Sequence, residues 1–216
     1  RASACSSAQH IDEGSSLNAW LLRVAMTAWL GIVASGLYIL WDYETSPGKS
    51  SSSPALWPAE TSIEQNRTGH TLVMLLHPQC ACSRASVDEL AIVMARTRGR
   101  LKSTLLFYSP ASKQIDWTRG ELWRRAKSVP GVVNLVDREG REAKIFRAIN
   151  SGHTALYNSE GELLFSGGIT PSRAHSGSNR GRSAIIAAVH GKRLNSHGSF
   201  VFGCDIFSPQ SGVESL

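Results

Sequence analysis

The sequence predicts an α/β domain, with a mixed β-sheet flanked by helices, behind one N-terminal transmembrane helix. Three observations predict it: an uncharged apolar segment near the N-terminus, a stretch rich in serine, proline and glycine after it, and alternating strand and helix patterns in the remainder. A chain of 216 residues is long enough for one globular domain and an anchor, but too short for two large cores. We therefore expect a single fold.

The transmembrane helix is predicted over residues 17–41. Val24 to Trp41 carries no charged side chain, and a helix that spans a membrane needs about 20 residues. Arg23 stands at one end of this run, and Asp42 and Glu44 stand at the other. This asymmetry predicts that the N-terminus faces the cytoplasm. A cleaved signal peptide is the main alternative.

The flanks of this helix complete the domain organisation. Residues 1–16 are predicted to form a polar leader, in which Cys5 would lie across the membrane from the other cysteines. Residues 42–62 are predicted to be a linker that holds the domain off the membrane. Residues 63–216 are assigned to the domain and a C-terminal extension.

Residues 63–216 alternate between strand and helix patterns. Short apolar runs bounded by Gly or Pro indicate buried strands, and apolar residues at spacings of three and four indicate helices with one packed face. The predicted elements are a strand at 71–76, a helix at 83–96, a strand at 104–108, a short helix at 121–127, a strand at 132–136, a helix at 141–149, strands at 154–157 and 162–165, and a helix at 182–190. The four residues between the last two strands end in Gly161, which predicts a hairpin.

The charge pattern argues against a nucleic-acid partner. The formal net charge is +6, but Lys and Arg are scattered among Asp and Glu without a run of five like charges. The sequence also lacks a Walker loop and the Cys-X-X-Cys-His motif of haem attachment. The cysteines therefore carry the functional argument.

Two motifs carry a resemblance to the thioredoxin superfamily. The first predicted strand leads into HPQCACSRASVDEL, and the hairpin reads TALYNSEGELLFSGG. Over about residues 63–191 the chain is similar to membrane-tethered thioredoxin-like proteins of the TlpA and ResA type, and to the peroxiredoxin-like branch. The resemblance implies a thioredoxin-like mixed sheet. The chain departs from the family by a Cys-X-Cys spacing at Cys80 and Cys82, and by His153 in place of the proline that normally faces the cysteines.

Cys80 and Cys82 are predicted to be catalytic. A thiolate at the first turn of a helix is stabilised by unpaired backbone amides and the helix dipole. The resemblance implies that Cys80 attacks a partner sulfur and that Cys82 resolves the mixed disulfide. A disulfide between residues two apart is strained, so Cys204 is an alternative resolving thiol. Gly203 beside it would let the chain approach another segment closely.

Four further residues are predicted to bind substrate. The resemblance places His153 and Thr154 opposite the cysteines. Arg173 and His175 lie in GGITPSRAHSGSNRG, a connection expected on the active-site side, where they would contact a partner peptide or an anion.

The leading hypothesis is a cofactor-free thiol-disulfide oxidoreductase on the periplasmic side of a bacterial inner membrane, acting on cysteines of exported proteins. The alternative is a Sco-like chaperone that binds Cu(I) or Zn through Cys80, Cys82 and His153, with His77 as a further ligand. Peroxide reduction fits less well, because HPQCACSRAS lacks the expected flanking Thr and Pro. The sequence leaves open the partner protein, the direction of electron flow, the oligomeric state and the true N-terminus.

Overall fold

The computed structural model describes residues 10–193 and 196–207, with side chains from residue 18 onward. The chain divides into two compact units, Arg1–Glu44 and Thr45–Leu216. Helix α1 spans His10–Thr45 and accounts for the described part of the first unit.

Helix α1 contains the candidate membrane span. Its portion Asn18–Thr45 has a mean hydropathy of 1.7, and none of that apolar window is buried. By length and composition this portion is able to cross a membrane. The predicted span 17–41 thus lies within a longer helix, which begins inside the predicted polar leader. Cys5 lies outside the described residues.

The second unit contains a mixed five-stranded sheet. Its elements in chain order are β1 (His70–Leu76), α2 (Ala81–Thr97), β2 (Leu101–Ser109), a 3₁₀ turn (Ile115–Thr118), α3 (Glu121–Lys127), β3 (Val132–Arg138), α4 (Arg141–Ile145), β4 (Thr154–Tyr157), β5 (Leu163–Gly167) and α5 (Arg180–Val189). The strand order is β3-β2-β1-β4-β5. The first three strands run parallel, whereas β4 pairs antiparallel with β1 and with β5.

Both faces of the sheet are covered. Successive side chains of a strand point to opposite faces, and β1 is buried along nearly its whole length. Leu72 and Met74 pack in one cluster with residues of α2, α3 and α5. Val73 and Leu75 pack in a second cluster with residues of α4. The apolar run that indicated a fully buried strand is explained by these two clusters.

This arrangement confirms the predicted thioredoxin-like fold: a parallel β1-α2-β2 unit is followed by an antiparallel hairpin and a final helix. Helix α4 ends at Ile145 rather than at Ile149, because Arg147 adopts a left-handed conformation (φ 53°) through which an α-helix cannot continue. The 3₁₀ turn was not predicted, since its four residues have no apolar periodicity.

Residues 46–57, which we call the strap, differ from the free linker that their composition suggested. The ring of Trp57 packs edge-on against Phe146 and Tyr157, with centroids 5.3 and 5.1 Å away. The Gly48 amide donates to the Val201 carbonyl at 2.8 Å. The strap belongs to the domain because its tryptophan and its backbone find partners there, in agreement with a compact unit that starts at Thr45.

A buried carboxylate joins α2 to the loop that precedes α5. Glu89 is fully buried, and its carboxylate accepts hydrogen bonds from the Gly177 amide at 2.6 Å and from the Asn179 side chain at 3.1 Å. The guanidinium of Arg182 completes the shell at 2.5 Å. A buried charge needs such compensation. The carboxylate therefore fixes the loop at residues 174–179 against the helix that carries Cys80.

Replacement of Glu89 by Ala is expected to lower the free energy of unfolding of the domain by about 3–5 kcal/mol, because it leaves the Arg182 charge buried without its partner. Urea unfolding monitored by tryptophan fluorescence measures the loss. Asp88→Ala is the matched control, since Asp88 and Arg125 form a partly exposed pair at 2.6 Å and such pairs contribute about 0–1 kcal/mol. Equal losses for the two variants would contradict this assignment.

Candidate functional site

Cys80 lies at the N-terminus of α2, where β1 has just ended. It is the N-cap residue, with an extended backbone (φ −87°, ψ 127°) and no side-chain capping bond. Its carbonyl accepts the Ser83 amide at 3.0 Å, and its own amide donates to the His77 carbonyl at 3.2 Å. The thiol therefore stands at the positive end of a 17-residue helix, which favours its ionised form.

Cys204 reaches this point from the C-terminal segment. Its Sγ lies 3.2 Å from Cys80 Sγ, although 124 positions separate the two residues. The Cys204 carbonyl accepts the Ser151 amide at 2.9 Å. A Cβ atom at Gly203 would lie 1.7 Å from the Ser151 carbonyl oxygen, so only glycine fits there. The close approach predicted for Gly203 is what brings Cys204 to Cys80.

Cys82 completes a group of three interacting thiols. It lies in the first turn of α2 and is only 5% exposed, whereas Cys80 and Cys204 are half-buried. The pKa of Cys82 depends on both of the other thiols. External molecules therefore have better access to Cys80 and Cys204 than to Cys82.

The three thiols differ in acidity. Hydrogen bonds from Cys204, and then from Cys82, hold the pKa of Cys80 well below its ordinary value. The pKa of Cys204 is raised because it donates to Cys80 and to Cys82. The Cys204 hydrogen bond lowers the pKa of Cys82, but donation to Cys80 and burial outweigh it, so the net shift is upward. Cys80 is therefore the thiolate of the group.

His77 lies close enough to Cys80 for the two side chains to interact electrostatically. Its backbone amide donates to the Ser151 hydroxyl at 3.0 Å, and its ring packs edge-on against Trp117 with centroids 5.6 Å apart. Burial lowers the pKa of His77, and the charge of Cys80 opposes that shift. The imidazole thus favours its neutral form near the thiolate.

The ring of His153 is bonded to serines of the strap and of β5. Its Nδ1 is 3.1 Å from the Ser51 hydroxyl, and its Nε2 is 3.0 Å from the Ser53 hydroxyl and 3.2 Å from that of Ser166. Burial lowers the pKa of His153 to about 4. The neighbouring Thr154 is buried, and its hydroxyl donates to the Gly152 carbonyl. Both side chains are buried, and the role in substrate binding that the sequence suggested for them stays a prediction.

The predicted metal-ligand set is not assembled. The serine hydroxyls occupy both ring nitrogens of His153, and the part of the chain that the structure describes contains no group of three or more His, Cys, Asp or Glu side chains placed to hold a metal ion. The residues therefore do not fit the Sco-like arrangement, and the binding of Cu(I) or Zn stays a prediction from the sequence.

The side chains of Arg173 and His175 form hydrogen bonds to backbone carbonyls. Arg173 Nε donates to the Ser46 carbonyl at 3.2 Å, and His175 Nδ1 donates to the Arg173 carbonyl at 2.7 Å. Ala174, between them, has a left-handed backbone (φ 57°), and its amide is one of the groups that favour ionisation of Cys82. The loop thus reaches the thiols through a backbone amide. Sequence reasoning missed Ala174, because a small residue gives no chemical signal.

A groove of about 560 Å³ opens beside Cys80, between α2, α3 and the loop at residues 174–176. Trp117, Leu122 and Ala174 supply apolar parts of its wall. Its charged side chains are paired, since Arg84 lies 3.3 Å from Glu121 and Asp88 bonds to Arg125. A larger groove of about 1020 Å³ lies between residues 57–68 and strands β2 and β3, and no cysteine lines it.

Two solved structures share the fold of this chain at low sequence identity. No family model matches the chain, and no curated protein matches its sequence. An uncharacterised conserved protein from Geobacillus kaustophilus superposes with a TM-score of 0.55 at 14% identity, over 78% of this chain and 95% of that one. A hypothetical protein from Sinorhizobium meliloti gives 0.56 at 16% identity, over 78% and 100%. A secreted Mycobacterium tuberculosis disulfide oxidoreductase is more distant, at 0.42 and 13% identity over 56% and 82%.

Removal of the Cys204 thiol should raise the pKa of Cys80 towards its ordinary value of 9.0, because the main hydrogen-bond donor to the thiolate is lost. In Cys204→Ala, alkylation of Cys80 by iodoacetamide at about pH 6 should therefore be at least tenfold slower than in the parent chain. Mass spectrometry of the Cys80 peptide across a pH series measures the titration. Cys82→Ala removes the lesser donor and should shift the profile less. An unchanged profile in Cys204→Ala would contradict the hydrogen-bond assignment.

Proposed function

We propose that the chain is a membrane-anchored thiol-disulfide oxidoreductase in which Cys80 attacks a partner sulfur and Cys204 resolves the mixed disulfide. The observation that carries this proposal is the 3.2 Å separation between Cys80 Sγ and Cys204 Sγ at the N-terminus of α2. Helix amides and two neighbouring thiols stabilise a thiolate at Cys80, and the thiolate is the attacking species in disulfide exchange.

The exchange proceeds in two balanced steps. The Cys80 thiolate attacks one sulfur of a substrate disulfide, which forms a mixed disulfide and releases the other substrate sulfur as a thiolate that takes up a proton. Cys204, once deprotonated, attacks Cys80 Sγ, which forms the Cys80–Cys204 disulfide and releases the second substrate thiolate. Two electrons pass from the protein to the substrate, and a dithiol reductant returns them. Oxidation of a substrate dithiol uses the same steps in reverse.

Access and geometry favour Cys204 over Cys82 as the resolving thiol. A Cys80–Cys82 disulfide would close a small ring within the first turn of α2, away from relaxed geometry. Cys204 lies on a separate segment and can approach Cys80 without distorting the helix. Cys82, at 5% exposure, is assigned the lesser role of hydrogen-bond donor to the Cys80 thiolate.

The proposed compartment is the periplasmic side of a bacterial inner membrane. The apolar length of α1 supports an anchor, and the placement of Arg23 before the span and Asp42 and Glu44 after it supports a cytoplasmic N-terminus. Disulfides form and persist in such oxidising compartments. The proposed substrates are therefore cysteines of exported proteins.

The groove beside Cys80 is the proposed place for the substrate polypeptide. Cys80 itself lines the groove, so a chain joined to it by a disulfide has to enter this space. The paired charges leave little net field, and Trp117 and Leu122 offer apolar contact to a side chain next to the substrate cysteine. Binding there would add affinity without a cofactor.

The cysteine variants are expected to separate the three roles. Cys80→Ser should abolish insulin reduction driven by dithiothreitol, since it removes the attacking thiolate. Cys204→Ser should accumulate a mixed disulfide at Cys80, because only Cys82 remains to resolve it and does so slowly through a strained ring; intact-mass analysis detects that adduct. Cys82→Ser should keep at least a tenth of the parent rate. Full activity in Cys80→Ser would overturn the proposal, and loss of resolution in Cys82→Ser instead of Cys204→Ser would reassign the second role.

Gly120 offers a way to block the groove without disturbing the fold. A Cβ there meets no atom within 4 Å, and the backbone (φ −74°) accepts any L-residue. Gly120→Leu should slow insulin reduction about tenfold, which corresponds to 1.4 kcal/mol of lost transition-state binding. Reaction with glutathione disulfide should stay near the parent rate, because that small substrate needs less of the groove. Gly120→Ser is the control, and an equal effect on both substrates would count against the groove.

A further inference from the structure

The strap and the C-terminal segment (residues 198–207) meet beside the redox pair. The Gly48 amide donates to the Val201 carbonyl at 2.8 Å. Lys49 Nζ lies 2.6 Å from Asp205 Oδ2. Asp205 follows Cys204 directly in the chain, so the strap is bonded to the residue adjacent to the proposed resolving thiol.

Asn150 also bonds to both of these segments. Its buried side-chain amide donates to the Lys49 carbonyl, and its backbone forms an antiparallel bridge with Asp205. The C-terminal segment thus lies between the strap and the loop that precedes β4, and it contains no helix or multi-residue strand of its own. The buried side chains of Val201 and Ile206, and the bond from the Ile206 amide to the Ile149 carbonyl at 3.0 Å, hold the rest of the segment, whereas the ion pair and the Asn150 bridge act at Asp205 itself.

We propose that Lys49 and Asp205 are positioning residues for Cys204, so that the strap holds the resolving thiol against Cys80. The proposal rests on the proposed function, because it assumes that Cys80 and Cys204 exchange disulfides. Lys49 lies only four residues beyond the end of α1. The residues that lead out of the candidate membrane span would then set how readily the redox pair closes.

The physical reason is the local concentration of the Cys204 thiol. Cys204 resolves a mixed disulfide at a rate that depends on how often its sulfur lies within reach of Cys80. Loss of the ion pair would loosen the C-terminal segment locally at Asp205, next to Cys204. Cys82 stays in place because α2 holds it, so the disulfide population would shift from Cys80–Cys204 towards Cys80–Cys82.

The test uses the chain of 216 residues in detergent micelles, equilibrated with mixtures of reduced and oxidised glutathione. Glutathione disulfide first forms a mixed disulfide with Cys80 and releases one glutathione, and Cys204 or Cys82 then displaces the second. Acid quenching, alkylation and peptide mass spectrometry give the fraction of each disulfide. The variants are Lys49→Asp, Asp205→Lys and the double exchange. Asp116→Lys is the control, because it breaks an exposed ion pair with Arg119 away from the strap.

Each single charge change should lower the equilibrium constant for the Cys80–Cys204 disulfide about two- to fivefold, the range of a partly exposed ion pair, and raise the share of Cys80–Cys82. The double exchange should restore most of the loss, which a general effect on stability would not do. Two outcomes would overturn the positioning role alone. In the first, the single variants change the equilibrium constant no more than Asp116→Lys does. In the second, the double exchange changes it by the sum of the two single effects. A parent chain that forms no Cys80–Cys204 disulfide would overturn the proposed function as well.

Discussion

The contact between the C-terminal segment and the loop at residues 150–152 is the constraint on which the rest of the site depends. The carbonyl of Ser151 leaves no space for a side chain at Gly203, and this lack of space is what lets Cys204 Sγ approach Cys80 Sγ to 3.2 Å. The hydrogen bond across that gap in turn favours the Cys80 thiolate over the thiols of its neighbours. Backbone packing far along the chain therefore determines which sulfur is ready to react.

The buried imidazole of His153 determines which side chains surround it. An imidazole buried in the domain needs hydrogen-bond partners for both nitrogens, and serine hydroxyls of the strap and of β5 supply them. With its pKa lowered to about 4 by burial, His153 is neutral near pH 7. The residue that the sequence suggested as a ligand or a tuner of the cysteines therefore ties the strap to the sheet, beside the C-terminal segment.

Local patterns were sufficient for the fold. The bounds of α3 and β4 follow the predicted ranges, because helical spacing and strand alternation are properties of neighbouring residues. The strap was predicted as a linker, since a run of serines and prolines gives no sign that Trp57 packs against residues about 90 and 100 positions away. The role of Ala174 had no sequence signal at all. The site is thus predictable in its thiols, and unpredictable in the long-range contacts that arrange them.

A redox pair formed across 124 positions behaves differently from one within a single helical turn. In an unfolded chain, sulfurs two residues apart still meet often, whereas closing a loop of about 100 residues costs about 4.7 kcal/mol in the chain-entropy model. Nearly all of the tendency of Cys80 and Cys204 to pair must therefore come from tertiary structure. It follows that the strap, Asn150 and Gly203 are part of the redox chemistry, because any change that loosens the C-terminal segment alters the disulfide equilibrium without touching a sulfur atom. The equilibrium of a Cys80–Cys82 disulfide would not depend on these residues, because α2 alone holds both of its sulfurs.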